Sequence, residues 1–308
     1  MLGLVGAFAA LAGWGGLFSD GLDALNHLAP VWLACGLLAA ILAAAFARDD
    51  ERKAVLGLAL AAVVASLGLM TPELVAKVRA PTQPPGGAMI KLVQFNAWAD
   101  NNDPPATLKW ILAQNADVVM LEEGDGFSRP IVSGLRKAYP YKVSCKGKMN
   151  CDTWIFSRWP MVAKRGFYED NMPLAGAWAT LRHPSGDFTV VATHFVWPIP
   201  AGRQQDQSRL LVAKVAPFDK ASLIVTGDFN STPWSFSLRR QDKALGLERR
   251  THAVASWPTG AFSRLASAPF PILPIDQVYA GKAWKTVKVE RGPRLGSDHR
   301  PVVVTLAR

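Results

Sequence analysis

The chain has 308 residues, half of them apolar, and its 34 basic and 24 acidic side chains give a formal net charge of +10. A chain of this length and apolar content easily buries a core, in one large domain or two small ones, and it is not too polar to fold. The charge is uneven: the first 80 residues hold five basic and six acidic side chains, and residues 81–308 carry +11. This balance favours nucleic acid, a phosphorylated metabolite or acidic lipid as partner, and a generally basic solvated surface is the alternative.

The excess of apolar residues lies at the N-terminus. Three apolar runs cover roughly residues 2–18, 28–47 and 54–70, and each approaches the ~20 residues that a helix needs to cross a bilayer. The pattern predicts a membrane anchor over residues 1–80 with three transmembrane helices. Two alternatives stay open: a cleaved signal peptide, although the first run lacks a positively charged start, and a buried helical hairpin, although no run has a polar face.

The charges between the apolar runs predict an orientation. The first connection carries Asp20 and Asp23 without Lys or Arg, whereas residues 48–53 include three basic side chains. Positive charge marks cytoplasmic loops, so the N-terminus and the second loop are expected inside. Everything after the third run is then extracytoplasmic, in a multi-pass protein of the cell inner membrane. Two basic side chains just after the third run point the other way.

The cysteines bear on the same question. Cys145 and Cys151 flank a polar loop of five residues, a spacing that fits a disulfide formed in an oxidising compartment. Two unrelated free thiols are the alternative, and no second Cys or His pair supports a zinc site. The third cysteine, Cys35, lies in the second apolar run and is expected to be inert.

Residues 81–88 are rich in Pro and Gly and predict a linker, which places a catalytic domain at residues 89–308. Apolar runs and periodicity within that domain predict many strands and few helices. Strands are expected at 89–95, 117–121, 154–156, 177–181, 188–192, 223–226, 277–279, 287–289 and 302–306, and helices within 103–115 and 204–215. This order favours two sheet layers with helices outside.

Polar side chains recur where these predicted strands begin or end. They are Asn96, Glu122, Glu123, His194, Asp228, Asn230, Asp276, Asp298 and His299. Each alone is typical of a turn or a solvated strand end. Together they supply the oxygen ligands for a hard cation, the base for water and the donor for an oxyanion that hydrolysis of a phosphate ester requires.

These strand ends carry sequence motifs that resemble the endonuclease/exonuclease/phosphatase superfamily over residues 89–308. The motifs are Val-Gln-Phe-Asn at 93–96, Asp-Val-Val-Met-Leu-Glu-Glu at 117–123, Ile-Phe-Ser-Arg at 155–158, Thr-His at 193–194, Gly-Asp-Phe-Asn at 227–230, Ile-Asp at 275–276 and Ser-Asp-His-Arg-Pro at 297–301. The resemblance implies an α/β fold, a four-layer α/β sandwich with two central β-sheets. The apolar N-terminus further resembles membrane-anchored bacterial members.

The resemblance also implies metal ligands. Asn96, Glu123 and Asp298 are expected to hold Mg²⁺, or Mn²⁺, with Asn96 on the metal or on a phosphoryl oxygen. The superfamily motif ends Leu-Gln-Glu, and here Glu122 occupies the Gln position. Which of the two glutamates ligates therefore stays open.

The remaining roles follow from the same resemblance. Asp228 is expected to orient or deprotonate the attacking water, with Asn230 fixing the geometry of Asp228 or of the phosphate. His299, held by Asp276, is expected to stabilise the transition state. His194 matches the deoxyribonuclease, sphingomyelinase and inositol-phosphatase branches, whereas the abasic-site endonucleases carry Tyr there.

The sequence therefore predicts a metal-dependent phosphodiesterase or phosphatase. An exported, membrane-tethered nuclease is the first hypothesis, and a hydrolase of phospholipid headgroups or small phosphoesters is the second. A catalytically silent membrane scaffold that binds phosphorylated ligands is the alternative outside enzymes.

Overall fold

The computed structural model describes residues 1–82, 84, 86–145, 152–168, 174–261 and 267–308. Two compact units are present. A helical unit comprises Met1–Arg79, Trp197–Gln204 and Ser231–Gln241, and a sheet unit comprises Ala80–Val196, Gln205–Asn230 and Asp242–Arg308. The domain boundaries expected after residues 80 and 88 stay predictions.

The helices and strands of the described residues follow one another along the chain. The helices are α1 (Leu2–Trp14), α2 (Asp20–Asp23), α3 (Ala29–Phe46), α4 (Asp49–Arg79), α5 (Pro104–Ala113), α6 (Arg129–Ala138), α7 (Arg203–Val215) and α8 (Phe236–Leu245). The strands are β1 (Met89–Asn96), β2 (Val118–Glu122), β3 (Tyr141–Ser144), β4 (Trp154–Ser157), β5 (Met161–Tyr168), β6 (Ala175–Leu181), β7 (Phe188–His194), β8 (Ile224–Asp228), β9 (Glu248–Arg249), β10 (Gly260–Ala261), β11 (Ser267–Ala268), β12 (Asp276–Ala280), β13 (Lys285–Arg291) and β14 (Val302–Ala307).

The helical unit is built on the apolar N-terminus. Among the described residues, two helical stretches are long and apolar enough to cross a membrane, Asp20–Phe46 and Asp49–Arg79, and Leu2–Leu17 is shorter. The 13 residues of α1 span about 20 Å at 1.5 Å per residue, less than a hydrocarbon core of roughly 30 Å. The prediction of three membrane-spanning helices is therefore corrected to two candidates and one shorter apolar helix.

Local sequence explains where helix α5 begins. Asp103 precedes α5, and its side chain accepts a hydrogen bond from the Ala106 N–H at 3.1 Å. Pro104 and Pro105 occupy the first turn of α5, where a proline costs no intrahelical hydrogen bond. The predicted start of a helix at residues 103–105 is thus an N-cap followed by two prolines.

Two six-stranded sheets form the centre of the sheet unit. Their strand orders are β13-β14-β1-β2-β4-β3 and β5-β6-β7-β8-β12-β9. Each sheet contains one parallel pair, β1 with β2 and β7 with β8, and its other neighbours run antiparallel. Both sheets are therefore mixed, and the central part of each has the same arrangement.

The main core lies between the two sheets. Alternate residues of the central strands face it, including Ile90 and Leu92 of β1, Val190 of β7 and Ile224 of β8, and all are completely buried. A second core packs Ile111 of α5 and the apolar face of α6 against the outer face of the first sheet.

Helices α7 and α8 flank the second sheet. Lys214 of α7 lies 5.8 Å from the ring centroid of Phe167 in β5, and the Tyr279 hydroxyl of β12 donates to Asp242 of α8 at 2.7 Å. The succession of helix, sheet, sheet and helix confirms the predicted four-layer α/β sandwich with two central sheets.

The cysteine prediction rests partly on residues that the structure leaves undescribed. Cys145 is buried and disulfide-bonded. Its expected partner, Cys151, lies outside the described residues. Cys35, in α3, is free.

Candidate active site

The layer between the sheets changes from apolar to polar at one end. Along β1, Ile90 and Leu92 face the apolar core, and the period of two then directs Gln94 and Asn96 to the same side. Parallel pairing sets Asn96 beside Glu122, and it sets His194 beside Asp228 in the other sheet. The strand ends of both sheets thus supply polar groups to one cluster.

The closest contact in this cluster joins His299 and Asp276. The imidazole Nδ1 lies 2.8 Å from the Asp276 Oδ2, and the Nε2 lies 3.6 Å from the Asp228 Oδ2. Asp276 begins β12 as the antiparallel partner of Asp228, which ends β8. One ligand atom from each of these three buried residues falls within 4.8 Å of the others.

Asp228 is fixed by the turn that follows it. The Asn230 N–H donates to the Asp228 Oδ1 at 2.8 Å, and the Asn230 side-chain amide donates to the Phe195 carbonyl at 2.8 Å. Asn230 has φ +46°, a left-handed conformation that Asn tolerates better than most residues. Gly227 is required just before, because a Cβ there would lie 1.8 Å from the Thr193 carbonyl oxygen.

Asn96 links two carboxylates. Its Nδ2 donates to the Glu123 Oε1 at 2.9 Å and to the Asp228 Oδ2 at 3.0 Å, while its Oδ1 accepts from the Trp98 N–H at 2.9 Å. The amide therefore turns its donor toward the centre of the cluster. His194 faces the same carboxylates, with its Nε2 at 3.8 Å from Glu123 and 3.7 Å from Asp228.

Glu122 and Glu123 occupy different environments. Glu122 is the last residue of β2 and faces the inter-sheet layer, where it is completely buried and accepts from the Gln94 Nε2 at 2.6 Å. Glu123 follows with φ +51°, its side chain is 25% exposed, and it accepts from the Ala99 N–H at 3.1 Å. The change of backbone conformation at Glu123 directs the second glutamate to the open end of the cluster.

Asp298 and His299 enter the cluster through the turn before β14. The Ser297 hydroxyl donates to the Asn96 carbonyl at 2.8 Å and accepts from the His299 N–H at 2.9 Å. The Trp257 indole donates to the Asp298 Oδ2 at 2.9 Å. The other oxygen, Oδ1 of Asp298, is buried and has no hydrogen-bond partner among the described residues.

These donors fit a hard divalent cation. A buried carboxylate oxygen without a hydrogen-bond partner has lost water and requires compensation by a charge. Asp298 supplies such an oxygen, which has only the His299 Nε2 nearby, at 3.9 Å, and Glu123 supplies a partly exposed carboxylate whose charge acts on Asp298. Oxygen ligands of this kind are those that Mg²⁺ and Mn²⁺ prefer.

The pKa values of Glu122 and Glu123 are shifted in opposite directions. Burial and the neighbouring charge of Asp276 raise the pKa of Glu122 well above its usual range, which favours a neutral carboxylic acid. Burial acts to raise the pKa of Glu123 as well, but His194 and the hydrogen bonds from Asn96 and Ala99 outweigh it, and the pKa is lowered. Glu123 is therefore the ionised member of the pair.

The pKa values of the two histidines are raised, although burial alone would lower them. Burial alone would lower the pKa of His299, yet Asp276 and Asp228 raise it well above its usual value. The pKa of His194 is also raised, because Asp228 and Glu123 outweigh the effect of burial. Burial raises the pKa of Asp228 to about 6 despite both imidazolium groups. Two cationic donors thus face one carboxylate.

The structure brings all eight of the predicted site residues into this cluster and leaves Glu122 behind it. It adds Gln94, Trp257 and Asp152, to which the sequence analysis assigns no role. Gln94 has a motif signal, whereas Trp257 lies in an irregular stretch with none. Asp152 precedes β4, accepts from the Gly124 N–H through its carbonyl, and has its pKa raised to about 6 by burial, with Glu123 also raising it and His194 opposing.

Comparison with known proteins identifies a family that contains these residues. The sequence profile described as "Endonuclease/Exonuclease/phosphatase family" matches residues 93–299, which is more than half of the chain and contains every residue of the cluster. The chain belongs to this family. Members of the endonuclease/exonuclease/phosphatase family are metal-dependent hydrolases of phosphoester bonds. No curated protein matches the chain.

Solved structures of the family share the fold of the sheet unit. An endonuclease/exonuclease/phosphatase from Beutenbergia cavernae matches at TM-score 0.56 and 21% identity, over 71% of each chain. The beta toxin of Staphylococcus aureus, solved with bound magnesium ions, matches at 0.53 and 15%, over 72% of this chain and 100% of its own. A humanized D. rerio TDP2 matches at 0.56 and 14%, over 71% and 99%. At these identities the likeness concerns the fold.

Proposed function

We propose that the protein is a Mg²⁺-dependent phosphodiesterase that is anchored in a membrane. The observation that carries the proposal is the position of Asp228: its Oδ2 lies 3.0 Å from the amide of Asn96 and less than 4 Å from the imidazoles of His194 and His299. A carboxylate between two cationic donors is suited to move a proton from water while the donors receive a phosphoryl group.

Asp228 orients the attacking water and accepts its proton. Its Oδ1 is held by the Asn230 N–H, so its Oδ2 is directed into the cluster. Asn230 is anchored in turn to the Phe195 carbonyl, which fixes the turn against β7. Asn230 therefore sets the geometry of the base.

His299 donates to the phosphoryl oxygens as negative charge develops on them. Asp276 fixes the ring through Nδ1 and keeps it cationic, which leaves Nε2 facing Asp228 and the cleft. His194 faces the same space from β7 with its side chain 19% exposed. Two imidazolium groups are well matched to a phosphodiester anion.

Glu123 and Asp298 would hold the metal ion. Asn96, which we predict to lie on the metal or on a phosphoryl oxygen, donates from Nδ2 to both Glu123 and Asp228, so it also orients these two carboxylates. The bound ion supplies a Lewis acid for the phosphoryl oxygen. The ionised state of Glu123 and the unpartnered oxygen of Asp298 support this ligand set.

A nuclease is our first hypothesis for the substrate. The net charge of +11 on residues 81–308 suits a polyanion whose counterions the protein displaces. A phospholipid headgroup is the second candidate. The two apolar helical stretches support anchoring in a membrane. The three basic side chains between them, at residues 48–53, favour an extracytoplasmic position for the sheet unit.

The full chain in nanodiscs, with Mg²⁺ or with EDTA, tests the proposal against supercoiled plasmid, sphingomyelin vesicles, phosphatidylinositol vesicles and a chromogenic phosphodiester. Cleavage that EDTA abolishes and the Asp228→Ala variant lacks supports a metal-dependent phosphodiesterase. Preference for plasmid, with a steep decrease in rate as salt increases, supports the nuclease. Vesicle cleavage without plasmid cleavage would establish the lipid alternative. No turnover on all four, by a folded protein, would refute the proposed activity.

A further inference from the structure

The segment Ser231–Gln241 belongs to the helical unit although it follows the catalytic turn directly. Asn230 ends the sheet unit at this point of the chain, and Ser231 is the next residue. The segment contains the first six residues of α8 and the five residues before it. Its contacts with the N-terminal helices therefore act on a stretch that begins one bond after the residue that fixes Asp228.

Asp23 holds the start of α8. Its Oδ1 accepts from the Phe236 N–H at 2.8 Å, and its Oδ2 accepts from the Ser237 N–H at 2.7 Å. Asn26 donates to the same carboxylate at 2.8 Å. A carboxylate at a helix N-terminus is stabilised by the free N–H groups and by the helix dipole. Asp23 is only 2% exposed, so these donors replace its lost hydration.

His27 holds the chain two residues after Asn230. The Thr232 N–H donates to the His27 Nδ1 at 3.2 Å, and the Thr232 hydroxyl lies at the same distance from that nitrogen. The Trp234 indole donates to the His27 carbonyl at 3.4 Å. His27 and Trp234 are both buried, so this contact fixes both the backbone and a large side chain of the segment.

Further contacts secure the same segment at its other end. Arg240 pairs with Asp20 at 2.5 Å, and the Arg239 guanidinium donates to the Leu69 carbonyl of α4 at 2.5 Å. Phe236 packs against Trp14 of α1 with ring centroids 6.2 Å apart. Residues from α1, α2, the segment that follows α2 and α4 thus hold one short stretch of chain.

We propose that Asp23 and His27 are positioning residues for the phosphoester hydrolysis described above, on which this inference rests. A simple tether requires apolar helices only, whereas Asp23 and His27 direct their side-chain acceptors to backbone N–H groups of one segment, at 232, 236 and 237. By fixing 232 and 236–237, the two side chains restrict the exit of the chain from Asn230. Asn230 in turn sets the Asp228 carboxylate.

The test uses the full chain in nanodiscs with Mg²⁺ and a soluble chromogenic phosphodiester, so that access to a membrane substrate plays no part. We expect Asp23→Ala and His27→Ala to lower kcat about 10- to 100-fold, as small displacements of a catalytic group do, with KM changed less than about twofold. Asp23→Glu keeps the carboxylate and should recover part of the lost kcat. Asp50→Asn, which removes a carboxylate that is 95% exposed, is the matched control and should leave kcat unchanged.

Amide hydrogen exchange supplies a readout that is independent of turnover. In the metal-free protein, Asp23→Ala should accelerate exchange over residues 228–238 and leave β1 and β2 unchanged. Faster exchange with unchanged kcat, or unchanged exchange and kcat, overturns the positioning role. If the wild type hydrolyses no phosphoester, the proposed function fails by itself, and exchange still decides whether Asp23 holds the turn. Where Asp23→Ala does not fold, the isosteric Asp23→Asn takes its place with the same expectations.

Discussion

His299 is held by Asp276 across 23 residues of sequence, with Nδ1 and Oδ2 at 2.8 Å and both side chains at least 95% buried. A buried imidazole beside a buried carboxylate is stable as an ion pair only if its other faces are also compensated. The second carboxylate, Asp228, lies 3.6 Å from the Nε2. The ring therefore has a carboxylate on either side, and both stabilise its cationic form.

Asp276→Asn should lower the pKa of His299, because it removes the first of the three carboxylates, Asp276, Asp228 and Asp298, that raise it against the effect of burial. The folded-state pKa is raised, so the pairing contributes stability that is fully present below about 6.5 and is lost as the pH rises through the folded pKa. NMR titration of the labelled imidazoles in EDTA, with the His299 signals assigned from His299→Gln, measures the shift. A His299 pKa that does not change in Asp276→Asn would contradict the pairing.

Asp228→Ala should abolish measurable turnover, and Asp228→Asn should lower kcat by roughly 10²- to 10⁴-fold, the range for loss of a general base. The isosteric Asn has one acceptor oxygen, so it can keep the bond from Asn230 or the bond from Asn96 but not both, and it cannot take the proton. Steady-state rates on the phosphodiester measure both effects, with circular dichroism as the control for folding. Activity of Asp228→Asn within threefold of the wild type, on the order of experimental scatter, would show that another group accepts the proton.

Replacing each of the two glutamates by glutamine should change the Mg²⁺ requirement differently. Glu123→Gln should raise the Mg²⁺ concentration for half-maximal rate by orders of magnitude, because it removes an ionised ligand from the open end of the cluster. Glu122→Gln should leave the Mg²⁺ requirement unchanged, since Glu122 is buried behind the site, has a raised pKa and faces Gln94. Calorimetric titration with Mg²⁺ measures both. The opposite pattern would move the ligand to Glu122.

Gln94 should increase the free energy of unfolding of the protein. It accepts from the Thr226 hydroxyl at 2.9 Å and donates to Glu122, so it connects the two sheets by buried hydrogen bonds. Gln94→Leu leaves both partners unsatisfied and should destabilise the fold by about 2–4 kcal/mol, since each orphaned group costs roughly 1–3 kcal/mol. Thermal or denaturant unfolding of the full chain in detergent measures the loss. The exposed Gln205→Leu is the matched control, and an equal effect in both variants would refute the role of Gln94.

Much of the fold could be predicted from apolar runs, because the central strands are buried on one or both faces and their β-branched residues are continuous in sequence. The runs at 117–121, 188–192, 223–226 and 302–306 all fall on strands. Two of the elements that were not predicted have weak patterns, whereas α6, which was also not predicted, carries the buried residues Ile131, Val132 and Leu135 at helical spacing. Strand β5 has four consecutive exposed residues, and α8 begins after a serine-rich turn that is held by distant side chains.

The site was accessible to sequence reasoning for a physical reason. Its side chains lie at strand ends, where an apolar run stops and a polar residue follows, so Asn96, His194 and Asp228 could be selected before any distance was known. Trp257 and Asp152 lie in irregular segments, where no periodicity signals that they approach the cluster. Their positions follow from contacts with residues far away along the chain.

The sequence alone determined the order of the motifs along the chain, the apolar N-terminus and the residue types of the site, because hydrophobic period and composition are local properties. Tertiary structure decided which glutamate faces the cleft, through the left-handed backbone at Glu123. It also decided the charge of His299 and the partners of Asp23. These depend on burial and on groups up to 214 residues apart, and the free energy of an ionised side chain is set by that surrounding rather than by its neighbours in sequence.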